Sequence, residues 1–264
     1  MKHKPLTIGL LVTYAVIVAA ILVLPTLVVI PLSFTDKASL AFPPEGWSTR
    51  WYQNFFKDPA WMRAFGNSIL VGLIVTVLAT AIGTAAAVGL KRWHNRKAAG
   101  IAQALFLAPM VVPAIIIAIG IYAVFLQNQL LGTVQGFVMA HTVLAMPFVI
   151  VSVSATLATY DERLTLAAIS LGASRWETFR RVTLPLIFPG VISGALFAFV
   201  TSFDEVVVSI FIKSPYLETL PVKMYASVTR DTDPTIAAAA TMIMLLTTTV
   251  ITIGLLSMRR KKRG

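Results

Sequence analysis

Asp204 and Glu205 are the residues whose type and place point most directly to chemistry: they are the only acids inside any of the chain's long apolar runs. A carboxylate in hydrocarbon is costly and normally faces a cavity or a partner. Read as one continuous helix from Leu186, Asp204 lies about 27 Å along the axis, in the outer half of a bilayer span. Gly194, Ala198, Thr201, Ser202, Glu205 and Ser209 then fall along one side of that helix. Such a small, polar stripe suits a subunit interface or a water-filled path. The chemistry is attraction of a cation, with Ser202, Asp204 and Glu205 on the path. A span that ended before Asp204 would leave the pair merely solvated at the surface. Apolar residues continue through Ile212, which favours the first reading.

Three further residues have a chemical and a packing reading. His141 stands in the middle of another apolar run, where it either packs and hydrogen-bonds or takes part in transport. Pro109 and Pro113 each remove a backbone hydrogen bond, which predicts a kink in a third run. Broken helices tend to line cavities in transporters, although a kink can also serve packing alone. Nothing here reads as catalytic. The three histidines, His3, His94 and His141, are far apart in sequence, and no cysteine is present, so neither a metal site nor a disulfide is expected. The chain lacks a GxxxxGK[ST] phosphate loop. Any ATP hydrolysis by that route would belong to another chain.

The elements that must position these residues are membrane spans. Of the 264 residues, 57% are hydrophobic and 12% charged, against roughly 25% charged in soluble domains. Mean hydropathy is +0.82. Six runs are long and apolar enough to cross a bilayer as helix: 6–31, 69–90, 98–126, 132–158, 186–212 and 235–258. The first is too long for the apolar core of a cleavable signal and is expected to remain as a helix. Of the 22 Lys and Arg, 15 fall on the side that holds both termini and the loop 159–185. The positive-inside rule makes that side cytoplasmic. The net charge of +11 is therefore a topology signal. The basic residues sit in short blocks between apolar runs, so no nucleic-acid partner is expected. Opposite lies a long outer loop with Trp47, Trp51, Tyr52 and Trp61, residues typical of a membrane interface. Ala79, Gly83 and Ala87 give the second span a small-residue packing face.

The loop 159–185 reads as structured. Leu164, Ala167, Ala168 and Leu171 share one helical face. Gly172 ends that helix, and Ser174 with Glu177 has the spacing of a capping box that opens a second. Phe179 and Val182 continue an apolar stripe to Leu184-Pro185. Two short helices joined at a glycine could rest on lipid headgroups or dock a cytoplasmic partner.

The string Ala167-Ala168-Ile169-Ser170-Leu171-Gly172-Ala173-Ser174, followed by Val182-Thr183-Leu184-Pro185, resembles the EAA loop of ABC importer permeases. It departs from that pattern at Leu166, where the family has Glu. The likeness extends over nearly the whole chain, including Pro109 and Pro113, His141 with Pro147-Phe148-Val149, and the stretches 202–209 and 220–225. The last two resemble the spermidine and putrescine subgroup. Ala114 stands where that subgroup commonly has an acid, which keeps opines, phosphonates, other amines and ferric iron open as solutes.

The resemblance implies an all-α membrane protein: one permease domain over 1–264 with six transmembrane helices and a cytoplasmic coupling-helix loop, as in type I importers. It implies a bacterial inner-membrane location and, as partners, a second permease, two cytoplasmic ATP-binding subunits and an extracytoplasmic solute-binding protein. ATP and Mg would sit on the ATPase, and this chain itself would hold no cofactor. Leu164, Ala167, Ala168, Leu171, Gly172, Leu184 and Pro185 would form the ATPase-coupling surface. A secondary transporter would usually need more intramembrane ionisable groups than this chain has.

Overall fold

The computed structural model describes residues 5–231 and 233–261. Apolar segments in lipid must satisfy their backbone internally, and helices do so. In chain order these are α1 (Pro5–Leu32), α2 (Arg50–Lys57), α3 (Pro59–Arg92), α4 (Arg96–Val111), α5 (Ala114–Gln127), α6 (Val134–Ala158), α7 (Glu162–Ser170), α8 (Arg175–Thr178), α9 (Leu184–Phe203), α10 (Val207–Ile212), α11 (Leu220–Ala226) and α12 (Thr235–Lys261). Among the described residues the only β pairing is one antiparallel bridge, Thr35 with Trp47.

Four segments are long and apolar enough to cross a membrane singly: Leu11–Leu32, Pro59–Arg92, Val134–Ala158 and Arg175–Phe203. The pair α4 and α5 makes a fifth if its two arms count as one span. The run 235–258 lies within α12. The expectation of six uninterrupted spans is modified at two places. The run 98–126 is bent by 101° between α4 and α5. The run 186–212 is two helices, because α9 ends at Phe203 and α10 starts at Val207.

The bend has a local cause. A residue before proline is driven out of the α region, and Val112, with ψ 131°, is extended ahead of Pro113, itself at ψ 131°. Pro109 lies inside α4 and does not end it. The expected pair of kinks is thus one break, at Pro113. At the other extreme, α3 has 34 residues, about 51 Å. It outreaches a hydrocarbon core of about 30 Å, and the run 69–90 is only its middle.

The chain forms two compact units. One comprises the chain through Met62 together with the part from Met224. Here α1 and α2 pack along α12. Asn54 donates to Thr235 Oγ1 (2.8 Å), and Trp51 Nε1 donates to the Thr35 carbonyl (2.8 Å). Trp61, expected at the membrane interface, is instead 0% exposed. Its indole N–H finds Asp233 Oδ2 at 3.3 Å, which satisfies the polar edge of a buried ring. Trp47 does stay exposed. No described residue of the apolar window of α1 is fully buried within the chain.

The other unit, Arg63–Lys223, is built round α6. Its core joins Val71, Val75, Ala79 and Ala87 of α3 to Phe137, Val149, Ile150 and Val153 of α6, and to Ile187 and Ala198 of α9. The small residues of α3 allow close approach: a Cβ on Gly83 would lie 2.8 Å from Val149 Cβ. The α6–α9 contact is closer still. A Cβ on Gly190 would run into the Thr156 side chain and stand 2.9 Å from the Ser152 carbonyl. One on Gly194 would stand 3.0 Å from Val149 Cα. These two glycines set the antiparallel register of α6 and α9. Continued toward Phe203, that register brings His141 opposite Ser202.

Candidate functional site

The break between α9 and α10 is where the sequence places its two intramembrane acids, and the structure gives them different environments. Asp204 closes α9, its N–H bonding to the Val200 carbonyl at 2.9 Å. Its side chain is exposed and makes no hydrogen bond or ion pair among the described residues. Glu205 folds the other way. Its Oε1 accepts from the Val208 N–H and its Oε2 from the Ser209 N–H, both at 2.8 Å. The side chain is only 9% exposed. It thereby satisfies two of the first N–H groups of α10, which have no partner within a helix.

His141 of α6 completes the cluster. It is 0% exposed, with Nδ1 2.9 Å from Ser202 Oγ and Nε2 2.9 Å from Ser209 Oγ. Glu205 Oε2 lies 3.8 Å from Nε2. The Phe137 ring packs on the imidazole at 5.6 Å between centroids. Ser202, Glu205 and His141, each singled out in the sequence, are thus brought together, while Asp204 stands apart. The expected single-helix stripe from Gly194 to Ser209 is replaced by two helix ends. Ser209 reaches the cluster from the far side of the break. The sequence signal for it was the hydroxyl four residues after Glu205. Pro109 and Pro113 lie outside the cluster. Among the described residues no group of three His, Cys, Asp or Glu side chains could hold a metal ion.

The second candidate surface is the loop 159–185. Asp161 caps α7 by accepting from the Arg163 N–H at 2.9 Å. Gly172 turns the chain at φ +88°, a conformation that L side chains rarely adopt. Ser174 and Glu177 form the reciprocal capping box that starts α8. A π turn, Phe179–Thr183, then leads directly into α9. Leu184-Pro185 therefore does not end a segment but lies in the first turn of α9, where proline is tolerated.

Leu164, Ala167 and Gly172 are exposed, Ala168 is half-buried, and Leu171 is 88% exposed. Leu166 and Ile169 are exposed too, so apolar side chains face outward on more than the one expected stripe. Pro185 is exposed, whereas Leu184 packs toward the core. Trp176, which the sequence reasoning passed over, is 67% exposed and stacks on Phe179 at 5.7 Å. An aromatic residue two positions after a cap serine was its signal.

This surface is fastened to the helix ends. Lys91, near the end of α3, donates to the Leu157 carbonyl at 2.6 Å, pairs with Glu162 at 3.5 Å and lies over the Tyr160 ring. Tyr160 Oη bonds Thr165 at 2.6 Å and Thr183 at 3.4 Å. The half-exposed ion pair contributes at most about 1 kcal/mol. The anchoring rests on the carbonyl and hydroxyl bonds with it. An arrangement that holds exposed leucines and a tryptophan on a braced scaffold can dock a partner.

Residues 79–263 match the family described as binding-protein-dependent transport system inner membrane component. The spermidine/putrescine transport system permease protein PotC of Escherichia coli (strain K12) is 32% identical over 248 residues, spanning 93% of this chain and 92% of that one. The putrescine transport system permease protein PotI of the same organism is 33% identical over 226 residues, 83% of this chain and 80% of that one. In fold, the chain resembles one chain of a bacterial ABC transporter involved in the import of the acidic polysaccharide alginate. The TM-score is 0.74 at 14% identity, with 97% of this chain and 95% of that chain covered.

Proposed function

The chain belongs to the family of binding-protein-dependent transport system inner membrane components, and on that premise we propose that it is the permease subunit of an ATP-driven ABC importer for a polyamine or related small cation. The observation that carries the choice of solute is Asp204. It is an exposed carboxylate, unpaired among the described residues, at a break between apolar helices, in a chain 32% identical along 93% of its length to a spermidine/putrescine permease. Glu205 neutralises helix-end donors, so Asp204 is the carboxylate left to meet a cation.

The whole chain acts as one permease domain in a bacterial inner membrane. It crosses six times, through α1, α3, the α4–α5 pair, α6, the α9–α10 pair and α12. Both termini and the loop 159–185 face the cytoplasm, supported by the 15 of 22 basic residues on that side. The surface of Leu164, Ala167, Ala168, Leu171 and Gly172, extended by Trp176, docks an ATPase subunit, and Leu184 and Pro185 carry its motion into α9. With Leu166 in place of Glu, that contact is apolar. Two such ATPases, which bind ATP and Mg, a second permease and an extracytoplasmic solute-binding protein complete the importer. This subunit performs no hydrolysis itself and holds no cofactor.

Ala114 begins α5 directly after the bend and contributes no charge where the polyamine subgroup commonly has one. Opines, phosphonates and ferric iron are the alternative solutes. The test is uptake of radiolabelled putrescine and spermidine by vesicles holding the assembled importer, with binding protein added. ATP-dependent accumulation of either is expected. Accumulation of a labelled phosphonate or ferric iron, with neither polyamine imported, overturns the choice of solute.

A further inference from the structure

His141 belongs to α6, yet both of its ring nitrogens address the α9–α10 segment. Ser202 lies in the last turn of α9 and Ser209 in the first turn of α10, so one imidazole bridges the two sides of the break at 2.9 Å each. Among the described residues, Glu205 is the charged group within ion-pair distance of the ring, with Oε2 3.8 Å from Nε2. In a neutral imidazole one nitrogen donates and the other accepts, and a serine hydroxyl can take either role, so Ser209 Oγ serves Nε2 and Ser202 Oγ serves Nδ1. Each nitrogen of a neutral ring has one matching partner. The ring is held by Phe137 on its own helix and by the register that Gly190 and Gly194 impose. Ser209 is shared: its backbone N–H donates to Glu205 and its hydroxyl meets His141.

We propose that His141 is a positioning residue for the solute path. By tying Ser202 to Ser209 it keeps the break closed and keeps Glu205 folded onto α10, which leaves Asp204 as the carboxylate outside the clamp. The proposal rests on the reading of Asp204 as the solute-facing group. A histidine that merely filled space would stabilise the whole helix packing. A clamp stabilises the break in particular.

The test uses the purified, assembled importer with a single cysteine placed at Val208 or at Val75, since the chain itself has no cysteine. Both valines are buried, one beside the break and the other in the α3 core. The rate of maleimide modification reports how often each site opens. His141→Leu removes both bonds and is expected to raise the rate at position 208 by roughly tenfold, with position 75 unchanged. Asn places its amide near the position of Nδ1 and Gln near that of Nε2. His141→Asn and His141→Gln should therefore each give a smaller rise at 208, and they carry the test if the leucine variant does not assemble. Putrescine uptake should fall in the same order.

Equal rises at 208 and 75 would mean a packing role only and overturn the proposal. So would no rise at 208, or a rise with unchanged uptake. The labelling involves neither Asp204 nor any solute. Normal putrescine uptake by an Asp204→Asn importer would therefore sink the solute reading while the labelling still decides whether His141 closes the break.

Discussion

Neutralising the two acids one at a time separates their roles. Glu205 accepts two backbone N–H bonds of 2.8 Å through its two carboxylate oxygens. Bonds to a charged group contribute about 1.5–3 kcal/mol each. Glu205→Gln keeps one acceptor, but its amide nitrogen then faces an N–H donor. One bond is lost and the other is weakened by loss of charge. The expected destabilisation is roughly 2–3 kcal/mol, which lowers the melting temperature of the complex by roughly 5 °C. Asp204 is exposed and unpaired among the described residues, so Asp204→Asn should change stability by no more than about 0.5 kcal/mol. Its effect should appear in transport. A unit charge about 5 Å from a cation, at an effective dielectric of about 20, contributes about 3 kcal/mol. That corresponds to as much as a hundredfold in putrescine uptake. The assays are thermal unfolding of the detergent-solubilised complex, followed by fluorescence-detected size exclusion, and uptake by vesicles with saturating binding protein. Equal melting temperatures for the two variants would refute the division of roles, as would a larger loss of stability in Asp204→Asn.

Two further outcomes are expected. In sealed cells an impermeant maleimide should label a cysteine at Ser48 and miss one at Ser174; labelling at 174 would reverse the topology. At Gly172 the space around an added Cβ is open, so Gly172→Ala bears only the left-handed backbone cost of roughly 1–2 kcal/mol and should retain most of the ATPase stimulation by loaded binding protein. Gly172→Asp adds a charge to the apolar docking surface and should abolish that stimulation with the subunit still in the membrane; stimulation equal to that of the alanine variant would refute this role for the turn.

The sequence by itself determined whatever depends on near neighbours. Long apolar runs must be helical because lipid offers the backbone no partners. Gly172, Ser174 and Glu177 write a helix stop and start within six residues, and the structure has both. Pro113 encodes the break of the third run through its steric effect on Val112 alone. Tertiary structure decided what depends on residues far apart. Adjacent acids look equivalent as letters, yet Glu205 is taken up by the N–H groups of Val208 and Ser209 while Asp204 is not. Trp61 is buried, and Asp233, 172 positions away, accepts from its indole N–H. His141 meets Ser202 and Ser209 across 61 and 68 residues. That meeting depends on the α6–α9 register, which is set where Gly190 and Gly194 let two backbones approach as no larger residue would. Local stereochemistry is carried by each short stretch of chain, whereas register is a property of two surfaces that exist only once both helices have formed.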